Sequence, residues 1–198
     1  MPRTLEFYFD YGSPYSYLAD TQVEAIARRT GAALARKPML LGGVFKATGN
    51  SSPAEQPAKA KWSAFDMPMW AHYYGVPFQR NPHFPVNTLA LMRGAAAAQL
   101  DGTFDRYHPA MFRAMWVEGR NLNDVKEVAA VLAAAGLDAA KFASRIQEQD
   151  VKDRLKATTD EAVSRGVFGA PTSFVDGQMF FGNDRLAFVE LALKGELK

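Results

Sequence analysis

The amino-acid sequence predicts an α/β fold, a four-stranded mixed sheet interrupted by a large all-helical insertion. Three observations predict it: the start of the chain has a strand–helix–strand pattern, the middle has almost only helical periodicity, and the end has a strand–strand–helix pattern. A strand–helix–strand unit implies two parallel strands joined by a right-handed crossover, and a hairpin adds antiparallel strands. The two ends of the chain together therefore supply one mixed sheet.

Composition limits the classes of function. With 48% hydrophobic and 22% charged residues among 198, the chain is expected to build an ordinary core. Its formal net charge of +2 is too small for the dense basic surface of a nucleic-acid binder. No apolar run reaches the length of a membrane span or resembles a signal peptide, so a cytoplasmic protein is expected. The chain has no cysteine, so any thiol chemistry needs a thiol from another molecule.

The first strand, Leu5–Phe9, is rich in Phe and Tyr and leads through a short turn into a helix over Pro14–Arg29. Ser13 stands at the N-cap position, and Pro14 follows at the first helical position, where its missing N–H is harmless. A helix N-terminus has free N–H groups and a partial positive charge, which favour an anion or a thiolate. Ser13 is therefore the candidate centre of an active site, although an isolated Ser-Pro pair more often only starts a helix.

A second strand is predicted over Ala33–Leu41, and a long loop follows from Gly42 to Pro57. A loop of this length in a compact domain is more often functional than idle. Two interpretations of Asn50, which lies in this loop, stay open: a ligand contact or an ordinary turn residue.

Helical periodicity then continues from Ala58 to about Gly166, apart from a Pro-rich extended segment over Arg80–Asn87. The predicted helices are Ala58–Tyr74, Thr88–Leu100, Thr103–Val117, a helix to Ala135 capped by Asn123 or Asp124, a helix capped by Asp138, and Val151–Arg165. The clearest periodicity, in Thr103–Val117, places His108 on an apolar face, where a packed histidine is a better interpretation than a catalytic one.

Strands return at the end of the chain. Thr172–Val175 and Gln178–Phe181 flank Asp176-Gly177, a pair that strongly favours a type I′ hairpin turn. A final helix follows, with Asn183 as its expected N-cap. The complete order predicts a thioredoxin-like domain made of residues 1–57 and 167–198, with residues 58–166 as an inserted helical domain.

Three features of this arrangement offer groups to one ligand. Ser13 offers a hydroxyl to a thiolate. Pro171 stands at the first position of a strand, where a cis peptide is allowed, and a cis bond would turn the backbone of Ala170 towards an extended peptide. The start of the last helix offers N–H groups to a carboxylate, and Asp184 can hold an ammonium group.

The fourth feature is the loop with Asn50, which is followed by Lys59 and Lys61, two cations for a second carboxylate. A ligand with a thiol, a peptide-like middle, an α-amino acid end and a second carboxylate is glutathione. Each feature alone is weak, and the inference depends on their order and on their fit to one ligand.

The sequence resembles the 2-hydroxychromene-2-carboxylate isomerases, which belong with the kappa-class glutathione transferases and, more distantly, with the DsbA-like oxidoreductases. The segments that carry the resemblance are Phe9–Ala19, Lys37–Asn50 and Gly166–Leu186. Ser13-Pro14-Tyr15-Ser16 stands where a disulfide oxidoreductase would have Cys-Pro-x-Cys, and this difference leaves a hydroxyl that can donate to a bound thiolate.

The resemblance implies a role for each matched residue. Ser13 activates the sulfur of glutathione, which serves as a cofactor in the cis–trans isomerisation of a small aromatic carboxylate by reversible thiolate addition. The glutathione contacts that it implies are Ser13, Asn50, Lys59, Ala170, Pro171, Phe181, Gly182, Asn183 and Asp184. The substrate contacts that it implies are Lys46, Asn50 and Tyr15. It also implies a homodimer.

Other functions compete with this one. A kappa-class transferase or peroxidase that consumes glutathione would share the same site, and a non-catalytic thioredoxin-fold binding module would lack the reaction. A metal enzyme is disfavoured, because His72, His83 and His108 lack ligand spacing. A serine hydrolase is disfavoured because the sequence has no Gly-x-Ser-x-Gly elbow. Trp62, Trp70 and Phe84 are candidates for an aromatic wall that binds the substrate ring, and core packing explains them equally well.

Overall fold

A computed structural model describes residues 2–197 and contains a four-stranded mixed sheet, which confirms the predicted fold class. The strands are β1 (Thr4–Phe9), β2 (Ala33–Pro38), β3 (Thr172–Val175) and β4 (Gln178–Phe181), in the order β2-β1-β3-β4. β1 is parallel to β2 and antiparallel to β3, and β3 is antiparallel to β4. Both ends of the chain therefore contribute to one sheet.

The helices cover both faces of this sheet. They are α1 (Pro14–Thr30), α2 (Leu41–Thr48), α3 (Pro57–Tyr74), α4 (Leu89–Leu100), α5 (Phe104–Trp116), α6 (Val125–Ala134), α7 (Ala139–Arg145), α8 (Gln149–Ser164) and α9 (Leu186–Lys194). Short 3-10 turns occupy Pro53–Glu55 and Asn183–Arg185. Within residues 2–197, none of the helices combines the length and the apolar character that crossing a membrane requires.

The prediction was wrong between residues 39 and 48. The second strand ends at Pro38 rather than Leu41, and the predicted loop contains the helix α2. The paired glycines Gly42 and Gly43 have low helix propensity and hid this helix in the sequence. Packing overrides that propensity, because Val44 is buried and a Cβ on Gly43 would lie 3.3 Å from the methyl group of Thr159 on α8.

Two apolar clusters hold the sheet between the helices. On one face, Phe7 and Phe9 stack with their centroids 6.1 Å apart and join the large cluster that includes most of α5. On the other face, Tyr8 packs with Ala162 of α8 and with Phe174. The large cluster contains residues from both the predicted thioredoxin-like segments and the predicted helical insertion. The division of the chain into two domains stays a prediction.

His108 lies buried in the core, which agrees with the interpretation from periodicity. Its Nδ1 lies 3.1 Å from Tyr11 Oη, and its Nε2 lies 2.9 Å from Asp20 Oδ1. Asp20 in turn accepts a hydrogen bond of 2.8 Å from Arg36 Nε. Trp116 Nε1 donates to the backbone oxygen of Tyr11 at 2.7 Å. These contacts fix the turn that follows β1 against α5.

The ion pair between Glu190 on α9 and Arg29 on α1 makes stability dependent on pH. Arg29 Nε donates to Glu190 Oε1 at 2.9 Å, Lys194 lies 2.8 Å from the same oxygen, and these contacts lower the pKa of Glu190 from 4.5 to about 2. A carboxylate with a lowered pKa stabilises the fold above its ordinary pKa, and this stabilisation is lost as the pH falls through the folded value. We expect Glu190→Gln to cost at most about 1 kcal/mol at pH 7, since Arg29 is half exposed.

Urea unfolding of the wild type and of Glu190→Gln at pH 7, 4 and 3 measures this difference. The free energy gap between them is expected to shrink steadily below pH 4.5. A gap that is equal at the three pH values would contradict the assignment.

Candidate active site

The turn between β1 and α1 places Ser13 at the start of α1 and against the loop before β3. Its Oγ accepts a hydrogen bond from Ser16 N at 3.1 Å, which confirms the predicted N-cap. The same oxygen donates to the carbonyl oxygen of Ala170 at 3.0 Å, across 157 positions of sequence. Ser13 is buried in this contact. The two ends of the chain therefore meet at the Ser13 hydroxyl.

The peptide bond between Ala170 and Pro171 is cis, in agreement with the position of the proline at the start of a strand. The loop is held by Gly182 N, which donates to Pro171 O at 3.0 Å, and by Thr172 Oγ1, which donates to the oxygen of Gly169 at 2.8 Å. The Ala170 carbonyl is occupied by Ser13, whereas the Ala170 N–H has no hydrogen-bond partner within residues 2–197. This N–H is a free donor next to the Ser13 hydroxyl.

The N-terminus of α1 offers a second free donor. Pro14 has no N–H, and the N–H of Ser16 is used by the Ser13 cap. The N–H of Tyr15 has no partner in the part of the chain that the structure describes. Free N–H groups and the partial positive charge of a helix N-terminus stabilise an anion and lower the pKa of a thiol.

Asp10 holds this turn in place, and no sequence pattern pointed to it. Its carboxylate is fully buried and accepts from the backbone N–H groups of Gly12 and Leu41, each at 2.8 Å, and from Thr88 Oγ1 at 3.1 Å. Burial raises the pKa of the Asp10 carboxyl, and these three donors oppose the rise. Asp10 thus connects the turn to the first residue of α2 and to the residue before α4.

Tyr15 contacts α3 through a residue that the sequence analysis also missed. Its hydroxyl donates to Asp66 Oδ2 at 2.8 Å, and Asp66 is buried. Burial raises the pKa of the Tyr15 phenol, and the hydrogen bond to Asp66 raises it further. The Tyr15 hydroxyl is therefore neutral at physiological pH and holds α3 beside the start of α1.

The segment after β4 differs from the prediction. Asn183 does not cap the last helix, because a 3-10 turn comes first and α9 begins at Leu186. Asn183 is instead buried, its carbonyl accepts from Tyr74 Oη at 2.9 Å, and its Nδ2 lies 3.5 Å from the same hydroxyl. Asp184 is exposed and pairs with Arg185 Nη1 at 2.5 Å. Asp184 therefore presents its carboxylate to solvent.

Gly182 connects β4 to the 3-10 turn in a backbone conformation that glycine favours. Its φ of +100° lies in a region that side chains rarely adopt, and a Cβ there would lie 2.5 Å from Asp184 Oδ1. This position, between the cis-proline loop and the 3-10 turn, therefore requires glycine.

Asn50 is linked to the same loop. Its Nδ2 donates to the carbonyl oxygen of Phe168 at 2.8 Å, and the ring of Phe168 packs on that of Phe181 with their centroids 4.5 Å apart. Lys46 on α2 and Lys59 on α3 are exposed, and their side chains have no hydrogen bond or ion pair within residues 2–197. The structure thus joins Asn50 to the loop of Ala170 and leaves both lysines available to a ligand.

The aromatic candidates have different environments. Trp62 is exposed and lies on a face of α3 that also exposes Phe65, Met69 and Tyr73. Trp70 is half-buried against the neighbouring tyrosines of the same helix, and Phe84 packs on Trp116 with their centroids 5.9 Å apart. Trp62 alone of the three candidates is largely open to solvent. Among the described residues, no group of three or more His, Cys, Asp or Glu side chains is arranged to hold a metal ion.

Comparisons with known proteins show which family the chain belongs to. The model of the DSBA-like thioredoxin domain family matches residues 4–194. A 2-hydroxychromene-2-carboxylate isomerase of Sphingobium xenophagum is 33% identical over 194 residues, which cover 96% of this chain and 97% of that protein. Human glutathione S-transferase kappa 1 is 33% identical over 204 residues, which cover 94% of this chain and 88% of that protein.

Solved structures show the same similarity. A structure of 2-hydroxychromene-2-carboxylate isomerase superposes with a TM-score of 0.86 at 29% identity, over 96% of this chain and 94% of that one. A probable DsbA oxidoreductase from Streptomyces coelicolor has a TM-score of 0.75 at 19% identity, over 99% and 92% of the two chains, and shares the fold.

Proposed function

Since the chain belongs to the DSBA-like thioredoxin domain family, in the group of enzymes that includes the 2-hydroxychromene-2-carboxylate isomerases, we propose that it is a glutathione-dependent cis–trans isomerase. The proposed substrate is 2-hydroxychromene-2-carboxylate, and the product is trans-o-hydroxybenzylidenepyruvate, in the degradation of naphthalene-type aromatic compounds. The observation that carries the proposal is the contact between Ser13 and Ala170, with a free backbone N–H on either side of it.

The donors at this contact fit glutathione. Ser13 and the N–H of Tyr15 suit a thiolate at the start of a helix. The free N–H of Ala170 suits a carbonyl oxygen of an extended peptide, in the manner of an added strand, with Pro171 fixing the loop. The exposed carboxylate of Asp184 suits an ammonium group, and the buried Asn183 fixes the segment that carries it.

The outer part of the site completes the proposed glutathione contacts. Lys59 is an exposed cation suited to the glycyl carboxylate. Asn50 is hydrogen-bonded to Phe168 O in the loop before Ala170, and it is the second contact that we propose there. Phe181 and Gly182 are the remaining proposed contacts, and a Cβ added to Gly169 would lie 2.8 Å from the Phe181 ring. Lys46 and Asn50 are the proposed contacts of the substrate carboxylate, together with Tyr15.

Glutathione, when bound, supplies a thiol that adds reversibly to a conjugated double bond and makes it a rotatable single bond. The protein contributes the electrostatics of this step. The Ser13 hydroxyl turns from Ala170 O towards the sulfur, since a hydroxyl proton rotates freely. The free N–H of Tyr15 and the partial positive charge of the helix N-terminus also stabilise a thiolate. A free thiol has a pKa of about 8.5, so lowering this pKa increases the thiolate fraction at neutral pH.

A kappa-class glutathione transferase or peroxidase is the second candidate, and the 33% identity to the human kappa enzyme favours it. This function would use the same glutathione contacts and would consume the thiol. We also propose, from the family resemblance, that the protein is a cytoplasmic homodimer, and light scattering that gives the mass of a single chain would contradict the dimer.

One assay separates these functions. The purified protein is incubated with 2-hydroxychromene-2-carboxylate and a small, catalytic amount of glutathione, and both the isomerisation and the remaining thiol are measured. We expect many turnovers per glutathione with the thiol unchanged. A parallel assay measures conjugation of glutathione to an aryl halide. Conjugation without isomerisation would contradict the isomerase function and support the transferase function.

A non-catalytic binding module is tested by thermal unfolding. Glutathione at 100 times its Kd should add about 2.7 kcal/mol of stability to a protein that binds it. Stabilisation with no activity in either assay would indicate a binding module, and no stabilisation would reject the glutathione site itself.

A further inference from the structure

A groove on the helical part of the molecule has no role in the proposed reaction. It is a cavity of about 380 Å³ between α4, α5, α6 and α7, and Ser13 is not among its lining residues. Its walls are mainly apolar. The larger apolar side chains that line it are Leu89, Leu122, Val128, Leu132, Phe142 and Ile146. This volume lies at the lower end of the range for small-molecule sites, about 300 to 1,000 Å³.

Arg93 is the one charged residue among those that line the groove. It is half-buried on α4, and its guanidinium has no hydrogen bond or ion pair within residues 2–197. The hydroxyl of Tyr107, which also lines the groove, is already used on the carbonyl oxygen of Leu91 at 2.8 Å. The groove therefore combines an apolar surface with a single unneutralised positive charge.

The surroundings beyond Arg93 are also positive on balance. A second cavity of about 550 Å³, between α2, α4 and α8, shares Leu89 and Arg93 with the groove. Its lining adds two lysines and two aspartates, of which Lys156 and Asp160 pair with each other. Lys152 has no ion pair within the described residues, whereas Asp153 accepts a hydrogen bond from Gln149. An anion beside Arg93 thus meets more cations than carboxylates.

We propose that this groove binds a small amphipathic anion, an apolar chain or ring with a single carboxylate. The carboxylate lies on the Arg93 guanidinium, and the apolar part lies among the side chains between α4 and α7. A guanidinium matches a carboxylate through two parallel hydrogen bonds, and removing apolar surface from water stabilises the rest of the ligand. This site is separate from the contact between Ser13 and Ala170.

Isothermal titration with octanoate tests the proposal on the whole protein. We expect saturable binding of one octanoate to the wild type and at least about tenfold weaker binding to Arg93→Gln, because a hydrogen-bonded charge contributes about 1.5–3 kcal/mol. Arg28→Gln removes the same charge from an exposed position on α1 and should bind like the wild type. Octan-1-ol, which has the chain without the charge, should bind at least about tenfold more weakly than octanoate.

A second variant tests the position of the apolar part. Ala143 is exposed on α7 and lines the groove, so Ala143→Trp fills it without disturbing the core. This variant should lose octanoate binding and keep the response to glutathione. The proposal is overturned if the wild type shows no saturable binding, if Arg93→Gln binds as the wild type does, if octan-1-ol binds equally well, or if Ala143→Trp binds unchanged.

Discussion

Replacing Ser13 with alanine is expected to lower kcat of the proposed isomerisation by about 100- to 1,000-fold, the usual effect of removing one aligned donor to a developing anion. Alanine leaves the helix N-terminus and the free N–H of Tyr15 in place and removes the hydroxyl that lies against Ala170. The thiol pKa of bound glutathione should rise as well. Its absorbance as a thiolate, followed against pH in wild type and variant, measures that change independently of turnover.

The same substitution removes an N-cap, so stability must be measured beside activity. The loss of the hydrogen bond from Ser16 N to Ser13 Oγ is expected to cost about 1 kcal/mol, which leaves the fold intact. Ser13→Gly is a useful partner variant, because glycine at an N-cap costs only a few tenths of a kcal/mol and also lacks the hydroxyl. Both variants should lose activity to a similar extent.

Ser16→Ala is the matched control. The Ser16 hydroxyl lies in the same Ser-Pro-Tyr-Ser motif, is buried, and has no hydrogen-bond partner in the described part of the chain. Its removal should leave turnover unchanged and stability equal or slightly improved, since an unsatisfied buried hydroxyl is itself costly. Unchanged kinetics in Ser13→Ala, or an equal loss in both variants, would remove Ser13 from the proposed mechanism.

Gly94→Ala is expected to destabilise the fold by about 2 kcal/mol, because the cost of overpacking exceeds the gain of about 1 kcal/mol in helix propensity. A Cβ on Gly94 would lie 2.1 Å from Tyr107 Oη and 2.5 Å from the ring carbon Cζ. The ring has little room to move, since Tyr107 is 2% exposed and stacks on Phe142 with an interplanar angle of 2°. Urea unfolding measures the change.

Gly42→Ala is the control for this prediction. Gly42 is also helical, in α2, and apart from its chain neighbours and the nearby backbone of its own helix no described atom lies within 4 Å of its added Cβ. This variant should be neutral or more stable by up to about 1 kcal/mol. Tyr107→Phe removes the closest contact, leaves the one at 2.5 Å and also loses the hydrogen bond to Leu91 O, so Gly94→Ala should cost less in the Tyr107→Phe background than in the wild type without becoming neutral. Equal stability of both glycine variants would contradict the packing described for α4 and α5.

The parts of the fold that depend on local sequence were predictable. The Asp176-Gly177 turn has the positive φ angles of 50° and 83° that a type I′ hairpin needs, and Asp138 caps α7 as its position suggests. Of the two candidate caps of α6, Asn123 and Asp124, the structure uses Asp124. α2 was missed because its stability comes from α8, which lies far away in the sequence. The cis bond before Pro85 had no local signal either.

The candidate site also contains some residues that local sequence predicts and others that depend on distant contacts. Ser13 and the cis bond at Pro171 follow from helix-start and strand-start chemistry, so they were accessible from sequence. Asp10 and Asp66 were not, because their partners lie in other elements and a buried carboxylate has no distinctive sequence pattern. Asn183 does not cap the last helix as predicted, because its buried environment depends on Tyr74, which lies far away in the sequence.

The pairing of β1 with both β2 and β3 has a consequence for synthesis. β1 is made long before its partner β3, because the helices α1 to α8 lie between them in the chain. Until then one edge of β1 has no strand beside it, and Ser13 has no Ala170 to contact. The helices α1 to α8 are all made before β3, so they are available to pack on one another while the site is still incomplete. A nascent chain stalled before residue 170 should therefore lack the Ala170 side of the proposed glutathione site, however well its helices are folded.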